Sequence, residues 1–286
     1  MDWAAANARA TRLLPPHPGL PWHRSGADAK VRDNMRSALE RNIPLEIRAI
    51  YAPNGDTLSV MAGGPSLART WRQAEGKVIA VNGVHNWLVE RGMVPWACCL
   101  LDVNPDLRDW ILPRDDVIYF VASMADPETF DHLAGRHVVL WHASGPGGVD
   151  AVLNERSGDW LLVGGGTTVA LRCLNLGYIL GYRRFRFFGL DSSYENGVSH
   201  AYHHETLPTV TVEAGGREFV TQAGFARQVM DFCSVMDGFT SGRLTGKPES
   251  LDVQVIGDGL LPTLLAEFEQ SRSHDERTNG EGTIHA

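Results

Sequence analysis

Short apolar runs, each closed by glycine, proline or asparagine, alternate with helix-like stretches from Leu58 almost to the end of the chain. The runs are Leu58–Ala62, Lys77–Val81, Ala97–Leu101, Val117–Val121, Val138–Trp141, Trp160–Val163, Phe185–Gly189 and Val253–Ile256. A strand that is apolar at every position has both faces covered, which is the condition of a parallel sheet built from βαβ units. The intervening stretches predict helices at Ser66–Ala74, Asn86–Arg91, Thr167–Leu180 and Gln222–Met236. Ahead of them, Asp28–Arg41 places Val31, Met35, Ala38 and Leu39 at helical spacing. The alternation therefore specifies an α/β fold with a mostly parallel sheet and helices on both faces.

Three segments depart from the alternation. The chain up to about Trp22 holds Pro15, Pro16, Pro18 and Pro21 and reads as an irregular arm. Thr209–Thr221 alternates around Gly215-Gly216, the pattern of a β-hairpin insertion near the C-terminus. From Ser271 the tail is polar and expected to fray. The resulting division is an N-terminal arm and helix over 1–54, a sheet domain over 55–270 and a polar tail over 271–286.

Composition excludes several classes. With 43% hydrophobic residues in 286 the chain buries a core and is not disordered. Its 34 acidic against 26 basic residues, a net charge of −8, argue against a protein that coats nucleic acid or an anionic membrane. The average hides a local excess: Arg172, Arg183, Arg184 and Arg186 stand between Trp160 and Leu190 with no acidic residue among them. Cys98-Cys99, Cys173 and Cys233 form no CxxC pair, so neither a disulfide scaffold nor a zinc motif can be read. No signal-peptide core or membrane span is evident, and the expectation is a soluble, cytoplasmic protein; a homo-oligomer is compatible with the sequence but not specified by it.

Five polar clusters fall at strand ends, where open parallel sheets bind ligands. Gly63-Gly64-Pro65-Ser66 offers bare backbone at a helix start, which suits a phosphate or a tight turn. Asn82, before Gly83, can read a base or ribose with its amide or close an Asx turn. Asp102 follows an apolar strand and can hold a metal or a hydroxyl. Gly164-Gly165-Gly166-Thr167-Thr168 precedes a long apolar helix and forms an anion cradle or a capped loop. Finally, Asp191 opens a loop carrying Tyr194, His200, His203, His204 and Glu205; Asp191 is a candidate base or metal ligand and His200 a candidate acid or base. His203 and His204, being adjacent, do not have the spacing of a zinc pair.

In this order, Gly63-Gly64-Pro65-Ser66-Leu67, Val81-Asn82-Gly83, Leu101-Asp102, Gly164–Val169 and Gly189–Ser193 resemble the 6-hydroxymethylpterin diphosphokinase MptE-like family over about residues 55–205. That family also contains motility-associated factors implicated in flagellin glycosylation, and the same elements are similar to those of Rossmann-like bacterial sialyltransferases. The resemblance implies a Rossmann-like sheet and a nucleotide-dependent transferase. Its first form is diphosphokinase-type transfer from ATP to a small pterin-like acceptor; its second is transfer of a nonulosonic sugar from a CMP-linked donor. In the sialyltransferases two tyrosines contact the donor phosphate; one matches Tyr194 and the other falls at His200. The metal cluster expected for a diphosphokinase corresponds here to Asp102-Val103-Asn104. On this reading Gly63, Gly64, Ser66, Gly165, Gly166, Thr167 and Thr168 cradle phosphates, Asn82 reads the nucleoside, Asp102 and Asp191 hold Mg²⁺, and Asp191, His200 and Tyr194 serve catalysis. A nucleotide-binding protein without turnover is the third alternative; its binding would survive Asp191→Asn and His200→Ala.

Overall fold

The computed structural model describes residues 1–14, 27–145, 148–156, 158–202 and 209–280. Eight strands form one sheet in which every pairing is parallel: β1 (Thr57–Met61), β2 (Lys77–Val81), β3 (Ala97–Leu100), β4 (Ile118–Ala122), β5 (His137–Ala143), β6 (Leu162–Val163), β7 (Arg184–Phe188) and β10 (Asp252–Ile256). The spatial order is β10-β7-β1-β2-β3-β4-β5-β6. The chain lays strands outward from β1 to β6, then returns through α7 (Val169–Ile179) to set β7 on the other side of β1. Val60 thus pairs with Ile79 on one side and Phe187 on the other, and the strand order reverses beside β1.

Alternate residues supply two cores. Cys99, Phe120 and Trp141 point to the face covered by α7 and α8 (Ala223–Thr240). Cys98, Leu100, Tyr119, Val121 and Leu140 point to the other face, where Ala38 of α2 (Ala27–Glu40) and Phe130 of α5 (Pro127–His132) cover them. Burial on both sides is why these strands carry no polar alternation. All four cysteines are free and buried. The expected hairpin is present as β8 (Val210–Ala214) and β9 (Arg217–Thr221), antiparallel, with Gly215 and Gly216 both at positive φ.

Several boundaries differ from expectation. The arm is not irregular throughout: Trp3–Leu13 forms α1, capped by Asp2, whose carboxylate accepts the Ala5 amide at 3.1 Å. Ala6 and Ala10 are buried, and Trp3 meets Phe232 of α8 edge to face. The helix expected at Ser66–Ala74 is only α3 (Leu67–Thr70) followed by a 3₁₀ turn over Trp71–Gln73. α4 (Val84–Val89) starts two residues early, while α6 (Val149–Asn154) and α9 (Leu260–Gly280) were not anticipated; α9 runs on into the segment expected to fray. Among the described residues no helix is long and apolar enough to cross a membrane.

A buried ion cluster ties the chain ahead of β1 to the sheet. Glu46 bridges to Leu140 of β5, and its carboxylate receives His142 Nε2 at 2.7 Å, Arg156 at 3.0 Å and Arg48 at 2.8 Å. Burial pushes this carboxyl up, but the hydrogen bonds from Arg156, His142 and Arg48 outweigh it and hold it at about 2.

Candidate functional site

A cleft of about 390 Å³ opens beyond the C-terminal ends of β1, β2, β3 and β7, at the reversal of strand order. Of the residues singled out in the sequence, Gly63, Gly64, Asn82 and Asp102 line it from one side. Thr167, Thr168, Asp191 and His200 line it from the other. Ser66 and Tyr194 do not; they border a smaller neighbouring cavity of about 100 Å³, and Asp191 stands in the wall between the two. His203, His204 and Glu205 lie outside the described residues.

The first glycine turn already holds an anion, and it is the protein's own. Asp191 Oδ2 accepts the Ser66 amide at 2.8 Å, and Gly64 N donates to Gly189 O at 2.7 Å. A Cβ on Gly64 would collide with the Asp191 carboxylate, and one on Gly63 would come within 2.8 Å of His200 Cδ2. These glycines therefore let the β7 loop pack on the β1 turn, a close approach of protein on protein. Of the expected phosphate cradle, Gly63 and Gly64 line the cleft, while Ser66, its amide engaged by Asp191, borders the neighbouring cavity.

Burial leaves Asp191 4% exposed and raises its carboxyl above the ordinary value of 3.8, while the Ser66 hydrogen bonds pull the other way. Its Oδ1 is buried without a well-formed hydrogen bond. Asn82 sits at φ +45°, a left-handed conformation that asparagine tolerates. Its Oδ1 is also buried and unpartnered, so no Asx turn forms and the amide oxygen remains available in the cleft wall.

In the second glycine loop Gly165 and Gly166 adopt φ +117° and +79°. A Cβ on Gly165 would lie 2.5 Å from Asn175 Nδ2, and one on Gly166 2.8 Å from Asp231 Cβ. Both glycines let the loop pack against α7 and α8, and neither is in the cleft lining. Neither threonine caps α7 through its side chain. Instead, Thr167 N donates to Asp231 Oδ2 at 3.0 Å, leaving Thr167 Oγ1 buried and unpartnered. Thr168 Oγ1 accepts Gln228 Nε2 at 2.9 Å, and Gln228 Oε1 accepts Ser192 Oγ at 2.8 Å. One glutamine on α8 thus joins the loop before α7 to the loop after β7, and leaves the Thr168 proton to donate.

The β7 loop folds back so that Ala201 N donates to Gly63 O at 2.8 Å. His200 Nδ1 contacts Ser199 Oγ at 2.9 Å, and its ring lies 5.4 Å from that of Tyr202. Burial pushes the Tyr202 phenol up to about 12. Tyr202, Gln228, Phe225 and Trp110 line the cleft and were not singled out in the sequence. The legible signal was Gln228 and Asp231, polar residues spaced at i and i+3 among the apolar positions of the helix, and both are buried.

The local arginine excess does not reach the cleft. Arg183, Arg184 and Arg186 stand at the start of β7, the opposite end of the sheet, where Arg186 pairs with Asp252 and Glu75 at 3.0 Å each. Arg172, lowered to about 10 by burial, binds Ser144 Oγ and Val163 O. Among the described residues no lysine or arginine lines the cleft, and no three His, Cys, Asp or Glu side chains cluster as a metal site. Asp102 and Asp191 are the carboxylates of the wall. Carboxylates are the side chains that hold magnesium, commonly one or two of them together with substrate phosphates and water.

A family model described as 6-hydroxymethylpterin diphosphokinase MptE-like matches residues 32–197. No curated protein sequence matches the chain. Among solved structures, the MAf glycosyltransferase from Magnetospirillum magneticum AMB-1 is similar at TM-score 0.50 and 14% identity, over 85% of this chain. This chain spans 42% of that protein's length, and the likeness is one of fold.

Proposed function

Because the chain belongs to the 6-hydroxymethylpterin diphosphokinase MptE-like family, we propose that its cleft binds a nucleotide donor and transfers part of it to a small acceptor. The observation that carries this reading is the convergence of Asn82, Asp102, Thr167, Thr168, Asp191 and His200 on one cavity at the switch point. In the finer reading the donor is ATP and the acceptor a pterin-like alcohol. The acceptor oxygen forms a bond to the β-phosphorus as the bond from that phosphorus to the bridging α–β oxygen breaks, and AMP leaves. His200, steadied by Ser199, takes the hydroxyl proton. Thr167 and Thr168 donate hydroxyl protons to donor oxygens, and Asn82 engages the nucleoside. Asp102 and Asp191 would hold magnesium, which would supply charge to offset the phosphate oxygens. Tyr194 borders the neighbouring cavity rather than the cleft and is assigned no step in this reading.

A second reading, sugar transfer from a CMP-linked donor, is favoured by one observation: the described cleft lining has no lysine or arginine. Such a wall suits a donor with a single phosphate charge better than a triphosphate. Calorimetry with ATP, CMP and CMP-sugars, each with and without Mg²⁺, separates the two. Metal-dependent ATP binding supports diphosphate transfer; metal-independent CMP binding supports sugar transfer; binding of neither at millimolar concentration overturns both.

A further inference from the structure

Trp110, the last residue of a 3₁₀ segment, Pro105–Trp110, lines the cleft. Of the described tryptophans it alone is exposed, at 40%. The exposure does not come from a loose loop. Leu107 and Ile111 on either side are buried, and Leu112 N donates to Asn86 Oδ1 of α4 at 2.8 Å. An indole anchored on both sides at a cavity rim offers whatever enters the cleft a large aromatic face to stack on.

Its neighbours define what could cover it. A Cβ on Gly83 would lie 3.6 Å from Trp110 Cβ and 3.7 Å from Tyr202 Cε2, so the two aromatic side chains bracket the same bare glycine. The preceding residue is Asn82, with its amide oxygen buried and unpartnered in the same wall. A flat ring lying against Trp110 at this point would bring its edge to an acceptor that has no partner within the protein. An acceptor left in that state is destabilising, and an exocyclic amino group would satisfy it.

Resting on the reading of this cleft as a nucleotide site, we propose that Trp110 stacks on a planar amino-heterocycle whose exocyclic N–H is received by Asn82 Oδ1. The ring could belong to the donor's base or to a pterin acceptor; the chemistry recognised is the same. Bound in this way, the ring occupies the β2 side of the cleft and directs the rest of its molecule towards Asp191 and His200.

The test is tryptophan fluorescence and calorimetry on the full chain and on Trp110→Phe, Trp110→Ala and Asn82→Gly. The probes are cytidine, uridine, adenosine, inosine and pterin, with ribose 5-phosphate as the non-aromatic control. The expected result is quenching by an amino-bearing ring that disappears in both Trp110 variants. The dissociation constant should stay near wild type in Trp110→Phe and rise about ten- to a hundredfold in Trp110→Ala. Asn82→Gly, which suits the left-handed backbone, should abolish the preference for cytidine over uridine or adenosine over inosine. Cytidine, adenosine or pterin acting alone identifies the source of the ring. If ATP or CMP binds the wild type and Trp110→Ala equally, and pterin does not distinguish them either, the stacking proposal fails while the nucleotide reading stands. If no nucleotide binds any variant, the reading fails and the proposal with it.

Discussion

Asp191 is subject to two opposing demands. It must accept the Ser66 amide as a carboxylate, yet it lies in a wall that disfavours charge. Its folded value stands above the ordinary 3.8, so the native state binds the proton more tightly than the unfolded chain. Stability from this group is therefore lost as pH rises from about 3.8 through the raised value, and the deficit persists at neutrality. Asp191→Asn keeps an oxygen for Ser66 and removes the charge. Its expected outcome is a higher melting temperature at pH 7, with transfer activity about 10²- to 10⁴-fold lower. Glu46 is the opposite case. Held at about 2 against an ordinary 4.5, it contributes stability above pH 4.5 that is lost as pH falls through about 2. Glu46→Gln should remove that acid-side loss and cost about 1–3 kcal/mol at pH 7, since two of its partners are partly exposed. Denaturant melts at several pH values report both. Asp191 and Asn82 were legible as polar residues closing apolar runs. Tyr194 and Tyr202 were not separable, because which of them faces the cleft depends on the loop folding back to Gly63.

At the scale of elements, α8 is what keeps the two loops in register. Gln228 binds Ser192 and Thr168 at once, and Asp231 holds the Thr167 amide. Gln228→Ala leaves two hydroxyls without these partners and should destabilise the protein by about 1–2 kcal/mol. A merely structural loss would leave the Michaelis constant unchanged; the relay predicts that it rises as well, because Thr168 loses its orientation. The strands were readable because full burial removes every polar alternation, so apolar runs mark them directly. The six-residue helices α5 and α6 were not, since so short a segment completes too few turns to show a period. α1 was obscured by the prolines that follow it, although Asp2 ahead of Trp3-Ala-Ala-Ala is a capping signal.

For the molecule as a whole, the net charge of −8 and a described cleft lining without lysine or arginine act in the same direction. An anionic ligand approaches against the field, and salt screens that repulsion. Metal-free CMP binding should therefore strengthen or hold constant between about 20 mM and about 200 mM NaCl; a clear weakening would require a cationic group at the site. The sheet order was not legible, because apolar runs name the strands and say nothing of their neighbours. That order has a consequence for how the chain comes into being. Ser66 and Asp191, joined by a hydrogen bond beside the cleft, stand 125 residues apart, and β7 can join β1 only after five strands have been laid out in the other direction. Contacts so distant in sequence form late and slowly. On the ribosome the growing chain will therefore carry β1 with one edge unpaired through most of its synthesis, and a nascent polypeptide halted before β7 would hold Asn82, Asp102, Thr167 and Thr168 without the Asp191 and His200 that complete the site.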